Sequence, residues 1–169
     1  MVGSVQPISL LPIGVVRSPF TTQQGTPLQT VAAFDIEAVV ELDPHYAPAL
    51  RGLEGFSHCH LLTFLDRAEW GGRLEVVPFL DDEAHGVFAT RAPGRPNPIG
   101  LSLVRLVAVE GATLRVAGID LLDGTPVLDL KPYVPPFDQV EATSWGWLER
   151  RAAEVHRTRA DDRFGKRAG

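Results

Sequence analysis

The sequence predicts an all-β fold: a single-sheeted, mostly antiparallel β-barrel with one short helix and a C-terminal helix. Seven or eight short runs rich in β-branched residues follow one another along the chain, separated by turns that contain glycine or proline. These runs do not alternate with helices as in a doubly wound sheet, and helical spacing begins only at Ser144. A closed barrel is the economical arrangement for so many strands, because it leaves no unpaired edge.

The strand at residues 34–42 has the clearest pattern. Apolar side chains occupy every second position, namely Phe34, Ile36, Ala38, Val40 and Leu42. The residues between them include three carboxylates, so the pattern indicates a half-buried antiparallel strand with the apolar set facing inward. Asp43 and Pro44 follow it and predict the N-cap and first residue of the short helix.

Other strands are predicted at residues 8–16, 56–65, 74–79, 101–110, 113–122 and 127–136. In the last of these, strict alternation places Leu128 and Leu130 on one face and Asp129, Lys131 and Tyr133 on the other. This polar trio is a candidate for catalysis, although Asp129 and Lys131 could equally form a structural ion pair.

Composition and length limit the classes of protein. The 169 residues, 44% of them hydrophobic and 22% charged, are typical of an ordinary globular chain. We expect a barrel domain over residues 1–143 and a C-terminal helix with a basic tail over residues 144–169. No apolar run is long enough for a membrane span and no signal-type segment opens the chain, so we expect a cytoplasmic protein without membrane contact.

The net charge of −5 is unevenly distributed along the chain. Residues 148–169 contain seven basic and four acidic side chains, a local charge of +3, and the remainder carries 9 basic and 17 acidic, or −8. A basic tail on an acidic body could contact a polyanion such as RNA, or it could be a solvated helix end.

The segment 90–100, TRAPGRPNPIG, predicts a rigid cationic loop. Its three prolines fix the backbone and restrict Ala92, Arg95 and Asn97, the residues that precede them, to extended geometry. Arg91 and Arg95 are therefore presented on a backbone with little freedom, which favours a binding loop over a simple turn. Asn97 is expected to fix the loop by side-chain hydrogen bonds.

Several other chemistries are not supported. The chain has neither a Rossmann nor a P-loop glycine motif and no nucleophile elbow. His58 and His60 share a strand face near Asp66, but no third histidine is close, and we expect no metal. Cys59 faces the other side of an apolar strand and is interpreted as an inert core residue.

The segment 86–102, GVFATRAPGRPNPIGLS, resembles the signature of the TsaA-like family. Further matches follow the family's order: IGVVRSPF at 13–20, LRGLEGFSH at 50–58 and DLLDGTPVLDLKPYVP at 120–135. The family's characterised activity is the S-adenosylmethionine-dependent methylation of N6-threonylcarbamoyladenosine at position 37 of tRNA. The resemblance covers roughly residues 8–140 and implies a single-sheeted barrel and a homodimer, with the cofactor near the subunit interface.

The resemblance also suggests roles for particular residues. We expect the cofactor to contact Gln29, Leu65, Asp66, Phe88, Arg91, Leu101, Asp120, Leu122, Asp123, Gly124 and Thr125. Substrate tRNA, through its anticodon loop, is expected to contact Arg95, Asn97, Arg150 and Arg151. Asp129 and Tyr133 are the candidate bases, with Lys131 orienting Asp129 or stabilising developing charge. Two alternatives stay open: a non-catalytic nucleotide- or RNA-binding module, and a methyltransferase for a different small acceptor.

Overall fold

A computed structural model describes residues 6–161 and 163–164. Its centre is a closed six-stranded antiparallel barrel, which confirms the predicted fold class. The strands are β1 (Gly14–Arg17), β2 (Glu37–Leu42), β3 (His58–Phe64), β6 (Ile99–Glu110), β7 (Thr113–Ala117) and β8 (Pro126–Pro132). Around the barrel the order is β1-β2-β7-β6-β3-β8, and β8 pairs with β1 again. The strands β4 (Glu75–Val76) and β5 (His85–Gly86) form a separate two-stranded sheet.

Helical structure in the described residues is limited to short pieces. The one α-helix, α1, spans Pro135–Asp138. The 3-10 helices are Thr30–Ala32, Pro44–Leu50, Leu53–Gly55, Val87–Ala89, Gly146–Arg150 and Ala152–His156. Asp43 caps the second of these as predicted, since its side chain accepts a hydrogen bond from the backbone N–H of His45 at 2.8 Å. No helix in this part of the chain is long and apolar enough to cross a membrane.

The barrel interior is filled by aliphatic side chains that alternate inward along the strands. Val16, Val40, Leu61, Val104 and Leu114 are all completely buried. The predicted facing of β2 is correct for its second half, but Phe34 is 68% exposed because the strand begins only at Glu37. The preceding residues instead turn, with the Ile36 N–H bonded to the Ala33 carbonyl at 2.8 Å.

A β-bulge in β8 changes which of its side chains face the core. Leu62 pairs with Asp129 but Thr63 pairs with Val127, so Leu128 is the extra residue. Val127 and Leu130 therefore pack on the core, while Leu128 lines an outer groove with Phe64 and Ile99. The prediction that Leu128 and Leu130 share a face was wrong, because simple alternation allows no inserted residue.

The predicted continuous C-terminal helix is replaced by the 3-10 helices Gly146–Arg150 and Ala152–His156. Gly146 has a positive φ of 59°, and the backbone of Arg151 departs from helical geometry at φ −120° and ψ −15°. These two positions interrupt any continuous α-helix. Asp162 and residues 165–169 of the predicted basic tail lie outside the described residues.

Leu61→Ala should lower the free energy of unfolding by about 2–5 kcal/mol, because it opens a cavity among fully buried neighbours. Urea unfolding followed by circular dichroism measures the change. Leu11→Ala, at a position 75% exposed, is the control and should change stability by less than about 0.5 kcal/mol. Equal effects of the two substitutions would contradict the assignment of this core.

Candidate active site

A cavity of about 990 Å³ lies at one end of the barrel. In an antiparallel barrel the ends of β1, β7 and β3 meet the starts of β2, β6 and β8 at the same rim, and the segments leaving that rim line the cavity. They are the loop 21–31, the turn 65–68, the cationic loop at 90–97, the first residues of β6 and the segment 120–125. The volume lies at the upper end of the range for sites that take a nucleotide-sized ligand.

The cationic loop is fixed by its own hydrogen bonds. The Thr90 hydroxyl donates to the Val87 carbonyl at 2.9 Å and accepts from the Ala92 N–H at 3.3 Å. Gly94 approaches the Glu69 carbonyl so closely that a β-carbon there would lie 2.5 Å from its oxygen. The loop is therefore a rigid support, as its prolines predicted.

The two loop arginines have different surroundings. Arg91 is exposed, lines the cavity and donates from Nη1 to Gln29 Oε1 at 2.8 Å. Arg95 also lines the cavity, but its Nη1 lies 3.2 Å from the Thr90 carbonyl oxygen and 3.4 Å from that of Ala92. Arg95 thus braces the loop that presents Arg91.

Asn97 lines the cavity without the predicted side-chain hydrogen bonds. Within the described residues its only bond in this loop is made by its backbone carbonyl, which accepts from the Ile99 N–H at 2.8 Å. The structure does not bear out the expectation that its side chain fixes the loop, because Asn97 is exposed and its amide bonds no group among the described residues.

Asp120 lies opposite this loop, just after β7, and lines the same cavity. Its Oδ1 accepts a hydrogen bond from the hydroxyl of Ser102 on β6 at 2.7 Å. Burial raises the pKa of the Asp120 carboxyl to about 6, although the Ser102 bond and the positive charge of Arg91 act in the opposite direction. A carboxylate that changes charge near neutral pH inside a cavity is a candidate for proton transfer.

The segment after Asp120 forms a fixed turn at the cavity floor. The Thr125 hydroxyl donates to the Leu122 carbonyl at 2.7 Å, and Gly124 takes a positive φ of 78° with its N–H on the Val16 carbonyl at 2.7 Å. Leu122 and Thr125 line the cavity. Asp123 does not, because its carboxylate accepts from the backbone N–H of Ser18 at 3.2 Å.

The remaining predicted cofactor residues also differ in whether they line the cavity. Leu65, Asp66 and Leu101 line the cavity, and the Leu65 N–H bonds the Pro98 carbonyl at 2.7 Å, which joins β3 to the cationic loop. Phe88 does not line it: this side chain is 77% exposed on the short helix before the loop.

The C-terminal segment, residues 146–164 without Asp162, forms the outer wall of the cavity. Its lining side chains are Trp147, Leu148, Ala152, Val155, Ala160 and Phe164. Trp147 stacks on His85 with ring centroids 4.7 Å apart and donates from its indole N–H to the Ala89 carbonyl at 2.9 Å. Phe164 is buried against Val76, Val87 and Ala92.

Arg150 and Arg151, two of the residues predicted to contact tRNA, lie on the outside of this wall. Arg150 is exposed, and Arg151 pairs with Asp81 at 3.9 Å and with Glu154 at 3.5 Å. Neither side chain lines the cavity.

The predicted catalytic trio also lies outside the cavity. Lys131 Nζ is 2.8 Å from Asp129 Oδ2 on the outer face of β8, and both side chains are about half exposed. Tyr133 contacts His58 and His60 edge-on, with ring centroids 6.4 and 5.7 Å away. Each of the three side chains thus makes a structural interaction in this chain.

His60 lies 4.0 Å from Asp138, and no cluster of three or more metal-ligating side chains occurs in residues 6–161 and 163–164. Cys59 is buried in the core, and this burial raises the pKa of its thiol to about 12. A thiol with that pKa is protonated at neutral pH, in agreement with its interpretation as inert.

Sequence reasoning missed Ser102 and the C-terminal wall. Ser102 and the buried Val104 lie two positions apart and share the inner face of β6. A polar residue at an inward-facing position was therefore the available signal. The helical spacing that begins at Ser144 predicts a helix, and it does not indicate that Leu148, Ala152 and Val155 line a cavity. For Phe164, no pattern in the neighbouring residues indicated burial.

Phe164→Ala should release the C-terminal wall while leaving the barrel folded, because its ring fills a small cluster separate from the barrel core. We expect faster amide hydrogen exchange in residues 146–161 and unchanged protection in β3 and β6. Trp145→Ala, at a position 55% exposed, is the control. Unchanged exchange in the Phe164 variant would show that the wall is held by other contacts.

Asp120 should make folding less favourable as the pH rises from about 4 to about 7. Its carboxyl has a pKa of about 6 in the folded protein and an ordinary value of 3.8, so in this window the folded state binds more protons than the unfolded state. The free energy of unfolding of wild type should therefore fall relative to that of Asp120→Asn across this window. Urea unfolding at pH 4.5 and 7.5 tests this, with Asp35→Asn at an exposed loop as the control for losing one charge.

Comparisons with known proteins identify the family and agree with the barrel fold. The family model for the tRNA-methyltransferase O N-terminal domain matches residues 15–139. The crystal structure of TrmO from Pseudomonas aeruginosa superposes with a TM-score of 0.72 at 41% identity, covering 86% of this chain and 63% of that one.

Two curated relatives carry informative names. A probable S-adenosyl-L-methionine-binding protein of Pyrococcus abyssi is 50% identical over 153 residues, which is 90% of this chain and 83% of the relative. The human tRNA (adenine(37)-N6)-methyltransferase is 39% identical over 135 residues, 75% of this chain but only 30% of the human protein. The chain therefore spans less than a third of that enzyme.

Proposed function

Because the chain belongs to the tRNA-methyltransferase O N-terminal domain family, we propose that it transfers a methyl group from S-adenosylmethionine to N6 of threonylcarbamoyladenosine 37 in tRNA. The observation that carries this proposal is the agreement between the family match and a cavity lined in part by two of the motifs that carry the resemblance, in segments 90–102 and 120–125. When bound, S-adenosylmethionine supplies an electrophilic methyl group. The protein must chiefly place the acceptor in line with that group.

The cavity has the chemistry that S-adenosylmethionine requires. The cofactor combines an adenine nucleoside with a zwitterionic amino acid, so it needs an apolar wall and separate groups for a carboxylate and an ammonium. Leu65, Leu101 and Leu122 supply apolar surface. Arg91, positioned by Gln29, suits the carboxylate because of its planar fork, and Asp66 suits the ammonium. Thr125 completes the proposed contacts at the floor.

The acceptor also carries negative charge, on its threonyl carboxylate and on the neighbouring phosphates. Arg95 and Asn97 lie at the cavity beside Arg91, and exposed Arg150 lies on the adjoining wall. We propose that these residues, together with Arg151, contact the anticodon loop. A tRNA substrate also accounts for the proposed cytoplasmic location.

We further propose that the chain acts as a homodimer with the cofactor near the interface, as the family resemblance implies. Phe64, Ile99 and Leu101 are 41%, 44% and 60% exposed and lie together at the cavity end of β3 and β6. Burying this apolar surface against a second copy is favourable. The side chains of Asp129, Lys131 and Tyr133 do not line the cavity of their own chain. In the proposed dimer they would reach the cavity of the second copy.

One observation favours a second function. The Pyrococcus relative, which the chain matches over most of its length, is named for binding S-adenosylmethionine and not for methyl transfer. A module that binds the cofactor without transferring a methyl group is therefore the alternative, and the assay below distinguishes the two.

Arg91→Ala should reduce methyl transfer at least about 100-fold, because it removes the side chain placed to fix a carboxylate beside the reacting groups. The assay incubates the protein with radiolabelled S-adenosylmethionine and tRNA containing threonylcarbamoyladenosine, and methylated nucleoside is measured by mass spectrometry. Arg51→Ala, which removes an exposed arginine far from the loop, is the control.

Full transfer by Arg91→Ala would contradict the arginine assignment. Cofactor binding by wild type without transfer to any tRNA pool would favour the binding module.

A further inference from the structure

We propose that Asp120 accepts the N6 proton of the acceptor base and that Ser102 is its positioning residue. This inference rests on the proposed function, which supplies the methyl donor and the acceptor. It differs from the sequence prediction, which placed Asp120 among the cofactor residues and assigned the base to Asp129 or Tyr133.

The first support is position. Asp120 follows β7 at the rim of the barrel, and its side chain reaches the cavity that also contains Arg91. Asp129 lies on the outer face of β8, and its carboxylate already accepts from Lys131 Nζ at 2.8 Å. Of Asp120, Asp129 and Tyr133, only Asp120 lines the cavity of its own chain, and Asp66, the other carboxylate there, is assigned to the ammonium of the cofactor.

The second support is orientation. The Ser102 hydroxyl is 2.7 Å from Asp120 Oδ1, and Ser102 is itself buried with only 3% of its surface exposed. Ser102 lies on the inner face of β6, whose pairing with β3 fixes the backbone at this position. The carboxylate is thus held by a group that cannot move without disturbing the barrel, as catalysis requires.

The third support is the charge state. The Asp120 carboxyl has a pKa of about 6, which leaves it mostly ionised at neutral pH yet more basic than an ordinary carboxylate. The charged side chains that line the cavity around it are Asp66, Arg67, Arg91 and Arg95. Of these, Arg91 acts on Asp120 directly and favours the ionised form.

The step balances with these groups alone. The acceptor N6 is a ureido-type nitrogen with a delocalised lone pair, so removing its proton makes that pair available for attack. The N6–H bond breaks and the proton passes to Asp120, the N6–methyl bond forms as the methyl–sulfur bond breaks, and the sulfur retains that electron pair. Asp120 then returns the proton to solvent.

Asp120→Asn should bind S-adenosylmethionine with at most a few-fold change by titration calorimetry. It should lose at least about 100-fold in methyl transfer, the contribution typical of a general base. Asp35→Asn on an exposed loop is the matched control and should retain both properties. Asp129→Asn is assayed in parallel as the competing candidate.

Ser102→Ala gives a readout that a purely structural role would not move. Since the Ser102 bond lowers the pKa of Asp120, its removal should shift the acidic limb of the kcat profile to higher pH. Ser102→Thr retains a hydroxyl and should restore the wild-type limb. This profile decides the question if Asp120→Asn fails to fold.

Three results would overturn the assignment while leaving the proposed function intact: unchanged transfer by Asp120→Asn, loss of cofactor binding by that variant, or loss of transfer by Asp129→Asn alone. An unmoved acidic limb in Ser102→Ala would overturn the role of Ser102. If wild type itself methylates no tRNA, the proposed function fails, and the inference fails with it.

Discussion

The pairing of β1 with β8 is the interaction on which the rest of the structure depends. It is short, with Gly14 opposite Val127 and Val15 opposite Pro126, and it is extended by a bond from the Val16 N–H to the Thr125 carbonyl at 2.9 Å. On the other side of β1, Gly14 permits the close approach to β2, because a β-carbon there would collide with the β2 backbone. Once the barrel is closed, the antiparallel order brings the strand connections that line the cavity to one rim, and the C-terminal segment covers them from outside. Closure thus assembles the site as well as removing the sheet edges.

Within the site, the opposite charges of Arg91 and Asp120 line the same cavity. Arg91 is held by Gln29, and Asp120 by Ser102, so each charge is oriented by a neutral partner rather than by a direct salt bridge. A direct salt bridge would neutralise both charges, and neither would be available to a ligand. With neutral partners, both charges remain available to a molecule that carries charges of both signs. This arrangement costs folding free energy and is expected at a binding site rather than in a core.

The sequence predicts features that are determined by neighbouring residues, and it does not predict those that depend on contacts between residues distant along the chain. Alternation in residues 37–42 and the glycine and proline turns predicted the strands, and their number predicted the barrel. The bulge at Leu128 could not be predicted, because it depends on the register with β3. The bond between Ser102 and Asp120 joins residues 18 positions apart in sequence, and no local pattern encodes it. The cavity residues came largely from family resemblance, and those in the C-terminal wall lie beyond the matched residues 15–139.

The end of the family match at residue 139 separates two parts of the cavity. They differ in how far a substitution disturbs the barrel. The floor belongs to the strands and their connecting turns, so substituting Ser102 or Thr125 also disturbs the packing of the barrel. The wall follows the last strand of the barrel and is attached by the side chains of Trp147 and Phe164 and by backbone hydrogen bonds between Ala160 and the loop residues Gly25 and Thr26. Substitutions in the wall can therefore change the outline of the cavity without altering any strand of the barrel.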